Sequence, residues 1–336
     1  MSLKALLDIL DSDSDFRQHN PNHIHACARC YKPTPNMPTC ARCKSIKYCS
    51  RECQKADWPK HKSFCAEAAD AGLANICKFM QRFHDKTKLS LGYYQQSAIL
   101  HKLRSLNLEI SRETTFKITF YVGFEPVDIQ DLRKILKSPT FVDSGKRPLG
   151  MLQILDLDVS SQPSAVAMSK PDLANAQRTL DSFGLGLSKF PIILIDMAYL
   201  KSDAQGKVQK HFYSTAAPLF FANTSFADNS HPITIPSISG NSQGVEKPRS
   251  LNSCLEYINM SIRNDHQNQY HARMKMSRED MKVLHMALRG KDSALSNALV
   301  LSYALKIQRE DIYGSIPETK ALKTLFNTMD DLEISG

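Results

Sequence analysis

The chain has 336 residues, is 42% hydrophobic and 23% charged, and carries a formal net charge of +9. That length allows two or more domains of roughly 100–200 residues each, and the composition is that of a chain with a real core, which excludes a disordered or fibrous protein. No apolar run reaches the ~18–20 residues of a bilayer span, and the longest, Pro191 to Ile195, is cut at once by Asp196 and reads as a buried strand, so no membrane role is expected.

Residues 1–16 open as a short amphipathic helix through Leu3, Leu6, Leu7, Ile9 and Leu10, then run into the acidic, serine-spaced Asp11-Ser12-Asp13-Ser14-Asp15. Asp8 interrupts the apolar set, so the segment is not a signal peptide, and the protein is expected to be soluble and intracellular. Residues 17–26 are a polar lead-in. The whole of 1–26 reads as a flexible segment.

Seven of the nine cysteines lie between Cys27 and Cys65, while Cys77 and Cys254 stand alone. Clustering of this kind fits metal binding in a reducing compartment better than a disulfide framework. The pairs are Cys27/Cys30, Cys40/Cys43, Cys49/Cys53 and His61/Cys65, eight nitrogen or sulfur donors in 39 residues. Zinc takes four such donors in a tetrahedron, so eight make two closed structural sites. A Cys-x-x-Cys turn aims two thiolates at one ion, and donors four apart share one face of a helix. Each site joins one turn to one helical pair, and spacing alone leaves open which turn joins which pair. His23 and His25 precede the first donor and read as solvated, since the set is complete without them.

Charge concentrates in the same place. Residues 1–26 carry net −2, residues 27–65 net +7 and the remainder net +4. Seven thiolates and two zinc ions add −3, leaving the metallated segment near +4. Part of the basic dressing therefore offsets anionic metal centres, and only weak, non-specific nucleic-acid binding is expected.

The run Tyr48-Cys49-Ser50-Arg51-Glu52-Cys53-Gln54, followed by Asp57-Trp58-Pro59-Lys60-His61-Lys62 and Cys65, closely resembles the MYND zinc-finger family. The resemblance covers residues 27–65. It implies a cross-braced arrangement, with Cys27, Cys30, Cys49 and Cys53 on the first zinc and Cys40, Cys43, His61 and Cys65 on the second. It also implies binding of proline-containing peptides of partner proteins, often in transcriptional or chromatin complexes. Gln54 and Trp58, four apart on one helical face, are the candidate peptide-binding residues. An indole suits a proline ring, and a carboxamide suits an extended backbone. Trp58 is equally readable as a packing residue over the zinc core.

Residues 66–107 read as a helical connector, with Ala68, Leu73, Ile76, Phe79, Met80 and Phe83 at helical spacing, a break near Gly92, and Ile99, Leu100, Leu103 and Leu106 beyond it. Residues 108–336 read as an α+β domain of unknown task. Strands are expected at 115–122, 151–159, 191–199 and 208–221, helices at 128–136 and 171–184, and a long surface loop over 223–250. Helices fill the rest from Leu251, including one opened by a capping-box-like Ser277-Arg278-Glu279-Asp280 and others at 293–307 and 318–331.

Asp156, Asp158 and Asp196 near strand ends are candidates for Mg²⁺ or acid–base chemistry, set against the commoner reading as solvated carboxylates. Gly184-Leu185-Gly186 follows a helix and lacks a third glycine, so it is not a phosphate loop. Cys77 reads as a small core residue on an apolar helical face, Cys254 sits in a helix opener with nothing local to mark the partnered base a nucleophile needs, and Met274, Met276, Met281 and Met286 read as helix packing. Some MYND fingers are embedded in SET-domain methyltransferases. Asn229-Ser230-His231-Pro232 is the nearest approach to that domain's Asn-His-Ser-Cys motif and lacks its order and cysteine. The expectation is a non-enzymatic interaction module. An enzyme housed in 108–336, with the finger as recruiting arm, and a nucleic-acid-binding regulator are the alternatives.

Overall fold

The computed structural model describes residues 27, 29–30, 32, 38, 40–41, 48–67, 71–88, 90–110, 116–160, 191–202, 208–219, 231–237, 244–289 and 298–319. The chain divides between Phe79 and Met80 into two compact units. Helices are α1 (Arg51–Glu67), α2 (Ala71–Thr87), α3 (Gly92–Ser105), α4 (Ile129–Lys137), α5 (Pro139–Asp143), α6 (Leu251–Asn264), α7 (Arg278–Arg289) and α8 (Ala298–Arg309). Strands are β1 (Lys117–Pro126), β2 (Leu149–Ser160), β3 (Ile192–Ser202), β4 (Val208–Pro218), β5 (Ile233–Ile235), β6 (Val245–Lys247) and β7 (Arg273–Lys275).

The second unit is built on a mixed sheet of order β4-β3-β1-β2-β7, in which only β1 and β3 run parallel. Period-two alternation in β1 sends Ile118, Phe120 and Val122 into the core and leaves Lys117, Thr119 and Tyr121 half-buried on the other face. Helix α3 packs on α6 and β2, α8 packs on β2 and α7, and α7 packs on α4 and β1. Capping explains where the helices begin. The Asp128 carboxylate accepts from the Gln130 N–H at α4, Ser250 and Ser253 form a reciprocal box at α6, and Ser277 and Asp280 do the same at α7.

Two side chains stand in for missing strand neighbours. Pairing of β1 with β3 ends at Val122, and beyond it the Tyr303 hydroxyl of α8 accepts from the Phe124 N–H at 2.7 Å and donates to the Phe124 carbonyl at 3.0 Å. Gly123 makes this approach possible, since a Cβ there would sit 2.2 Å from the phenol oxygen. Pairing of β2 with β7 ends at Met151, and the Asn259 carboxamide of α6 then binds both the N–H and the carbonyl of Ile154, each at 2.7 Å. Backbone groups that would otherwise be buried without partners are thus satisfied from the helices.

A charged cluster lies in the same core. Glu125 on β1 accepts from Arg263 at 2.7 Å, from Tyr313 at 2.5 Å and from Lys306 at 2.9 Å. Lys306 also meets Glu310 at 2.7 Å, and Glu310 accepts from Asn259 at 2.6 Å. Glu125, Lys306 and Glu310 are fully buried. Burial works to raise the Glu125 carboxyl, but the charges of Lys306 and Arg263 and the Tyr313 hydroxyl outweigh it and hold the group below its ordinary value.

Three sequence expectations need correction here. The segment 223–250 is not all loop: β5 and β6 pair within it, because Ile233 and Ile235 alternate with Thr234 and bury both isoleucines. The run after Leu251 is not all helix, since β7 interrupts it and pairs with β2. Met274 accordingly lies in a strand, whereas Met276 and Met281 are buried and Met286 is exposed. The expected helix at 171–184 and the Gly184-Leu185-Gly186 stretch lie outside the described residues, as does the expected 318–331 helix beyond Thr319.

Candidate functional site

The site is assembled by the N-terminal turn of α1 and the chain before it. Ser50 caps α1 by accepting from the Cys53 N–H at 3.2 Å. That start places Cys53 one helical turn from Cys49 and brings their sulfurs to 3.5 Å, with Cys30 Sγ 3.4 Å from Cys49 Sγ. The Cys27 N–H donates to the Lys32 carbonyl, closing the turn that holds Cys27 and Cys30. The four sulfurs of Cys27, Cys30, Cys49 and Cys53 lie within 4.8 Å of one another. Zinc–sulfur bonds of about 2.3 Å in a tetrahedron give sulfur–sulfur edges of about 3.8 Å, so the donor set and its size fit one zinc ion.

Electrostatics points the same way. Burial disfavours a thiolate at Cys27, but backbone N–H groups of Cys30, Cys49 and Arg29 bring it down to about 6. Hydrogen bonds shared with Cys30, Cys53 and Cys27 push Cys49 up to about 12. Four thiolates at this spacing repel one another, and a dication resolves the conflict.

Cys40 is buried beside Cys27 and Tyr48, with Cys30, Cys49, Cys53 and Trp58 packed on the cluster. Its expected partner Cys43 and the side chains of His61 and Cys65 lie outside the described residues, as do His23 and His25. The buried Tyr48 ring is held by its hydroxyl donating to Asp57 at 2.7 Å and by its N–H donating to the Pro38 carbonyl at 3.0 Å.

An open groove of about 620 Å³ lies beside this core, lined by Pro38, Ala41, Tyr48, Ser50, Arg51, Gln54, Lys55 and Trp58. Both candidate peptide-binding residues, Gln54 and Trp58, are in it. Trp58 is half-buried, so its indole both covers the cysteine cluster and forms groove wall. Arg51 and Lys55 were missed by the sequence reading. Their spacing from Gln54 and Trp58, at i, i+3, i+4 and i+7, would have placed all four on one helical stripe.

The three aspartates do not form a comparable site. In register, Asp158 pairs with Thr119 and Thr119 with Asp196. Asp196 is bound to Lys117 at 2.8 Å and accepts from Ser214 at 2.6 Å, while Asp156 and Asp158 accept from the N–H of the following residue. Cys254 is buried, and its thiol is raised by that burial. Cys77 is only partly buried. No helix among the described residues is long and apolar enough to cross a membrane.

Comparison with known proteins agrees with this geometry. A stretch of 86 residues is 35% identical to the "SET domain and MYND-type zinc finger protein 6" of Schizosaccharomyces pombe, covering 24% of this chain and 17% of that protein. A 48-residue stretch is 42% identical to the mouse "N-lysine methyltransferase SMYD2", 14% of this chain and 11% of the relative. A 47-residue stretch is 47% identical to "Ubiquitin carboxyl-terminal hydrolase 15" of Arabidopsis thaliana, 14% of this chain and 5% of the relative. The chain thus spans less than a fifth of the length of each of these relatives. No solved structure matches it. The MYND finger family model matches residues 27–65, which makes the cysteine cluster the zinc-binding part of an interaction module. The model described as "Domain of unknown function (DUF8205)" matches residues 71–313, and the chain therefore belongs to that family, with a MYND finger preceding its shared domain.

Proposed function

We propose that the protein is a non-enzymatic recruiting module whose finger holds two structural zinc ions and captures proline-containing segments of partner proteins. The second zinc would be held by Cys40, Cys43, His61 and Cys65. The observation that carries the reading is the groove: Trp58 and Gln54 line it together, one turn apart, beside the rigid cluster of Cys27, Cys30, Cys49 and Cys53. Zinc would supply no chemistry on a substrate. It fixes the end of α1 and so fixes the wall of the groove. Proline-rich segments are already extended and lose little entropy on docking. The aspartates that motivated an enzymatic alternative in 108–336 do not support it, since Asp196 is committed to Lys117 and Ser214.

The test is binding of a labelled proline-rich peptide to the zinc-loaded chain. Trp58→Ala should cost roughly 2 kcal/mol or more, about 30-fold in affinity, as an aromatic anchor does. Zinc content should hold at two per chain. Gln54→Ala should weaken binding less and leave stability alone. Unchanged affinity in both variants would remove the groove as the peptide site, and a joint loss of zinc and stability in Trp58→Ala would mark the indole as core.

A further inference from the structure

Resting on the groove reading above, we propose that the segment the finger captures is acidic: a proline-containing stretch of a partner protein with Asp or Glu side chains beside the proline. Arg51 and Lys55 are one helical turn apart, share a stripe with Gln54 and Trp58, and line the groove with them. Among the described residues, those lining the groove include these two cations and no anion. Both cations are exposed, and neither closes a salt bridge among the described residues.

The finger's own acids are used elsewhere. The Asp57 carboxylate accepts from the buried Tyr48 hydroxyl at 2.7 Å. Glu52, the finger's other acid, is not among the residues that line the groove. Arg51 and Lys55 therefore frame an apolar floor of Trp58, Tyr48, Pro38 and Ala41 with positive charge on one wall. A proline ring on the indole would put flanking carboxylates within reach of that wall. A neutral proline-rich segment would use the floor and leave the cations idle, and a basic segment would be repelled.

The experiment uses the full zinc-loaded chain and three labelled peptides of equal length around one proline core, flanked by Asp/Glu, by Ser or by Lys. Two exposed ion pairs predict that the acidic peptide binds about 5–30-fold tighter than the serine peptide, with the lysine peptide weakest. That preference should shrink as salt rises from 50 to 300 mM. Arg51→Glu with Lys55→Glu should reverse the order of the acidic and lysine peptides, with zinc content measured alongside as the folding control. Equal affinity for acidic and serine peptides would overturn the charge inference and leave the proline groove standing. Acidic binding that survives Trp58→Ala would place the contact outside the groove and also overturn it. Failure of all three peptides to bind would remove the groove reading and the inference together.

Discussion

Lys306 is the side chain whose removal tests the core most sharply. Its ammonium is fully buried and meets Glu125 at 2.9 Å, Glu310 at 2.7 Å and the Tyr313 hydroxyl at 2.6 Å. At an effective dielectric of ~20 each carboxylate contact is worth about 6 kcal/mol gross, and desolvating the ammonium takes back several. Lys306→Met keeps the volume but leaves two buried carboxylates short of a cation. Loss of one partner from such a set costs about 3–5 kcal/mol, a fall of roughly 6–20 °C in the melting temperature of a unit this size. Calorimetry on the zinc-loaded chain reads it directly. The double variant Lys306→Met with Glu310→Gln should recover part of the loss, because one stranded charge goes with it. The pH dependence has a definite sign. Glu125 titrates lower when folded than unfolded, so its stabilisation is complete above its ordinary value and is lost as pH falls through the lowered one. Lys306→Met should therefore move the acid-unfolding limb to higher pH. A melting temperature lowered by less than about 3 °C, with the acid limb unmoved, would show that water reaches the cluster and that the desolvation argument is wrong.

Burial pushes His84 down to about 4, beside the Tyr213 ring at 5.6 Å. The unfolded chain takes up that proton near 6.5, so stability should fall by up to about 3 kcal/mol between pH 6.5 and 4. His84→Leu should flatten denaturant midpoints across that window, and an unchanged slope would refute the assignment. Elemental analysis should return two zinc ions per chain, with a single zinc counting against the second site. A chelator should unfold the finger and leave most of the circular dichroism of the larger unit, and cooperative loss of the whole signal would show the units to be interdependent. Because cysteine–zinc coordination absorbs part of the finger's positive charge, binding to duplex DNA should be weak, independent of sequence and steeply salt-dependent. Submicromolar, sequence-selective binding at physiological salt would overturn that.

What could be read from the sequence follows from the range of each signal. Ligand spacing is local, so the four donor pairs are legible in it, but the grouping of Cys27 and Cys30 with Cys49 and Cys53 comes only from the resemblance to the MYND family, and the converging sulfurs agree with that grouping. Period-two alternation placed the expected strand at 115–122 on β1, and the Ser277–Asp280 box was found where α7 begins. Strand β7 was not legible: three residues are too few for a period, and Arg273-Met274-Lys275 becomes a strand only because β2 offers Met151, Gly150 and Leu149 as partners. The buried cluster was invisible for the same reason, since Glu125 and Lys306 are far apart in the chain and each reads as a surface charge by itself. Helix α3, whose apolar spacing was plain, packs on α6 and β2, contacts that no local pattern announces.

The hydroxyl of Tyr303 closing on Phe124 has a consequence for how the chain must be made. The two residues are 179 positions apart, so during synthesis the far half of β1 exists long before the phenol that seals it. Until α8 docks, the Phe124 N–H and carbonyl present a strand edge able to pair with another copy of the same strand. A chain truncated before Tyr303 would therefore keep the strands and their apolar faces yet lack the side chain that ends the ladder. Such truncations are expected to be recovered as aggregates even though every described strand of the sheet is present in them, which ties recovery of the folded chain to helix α8.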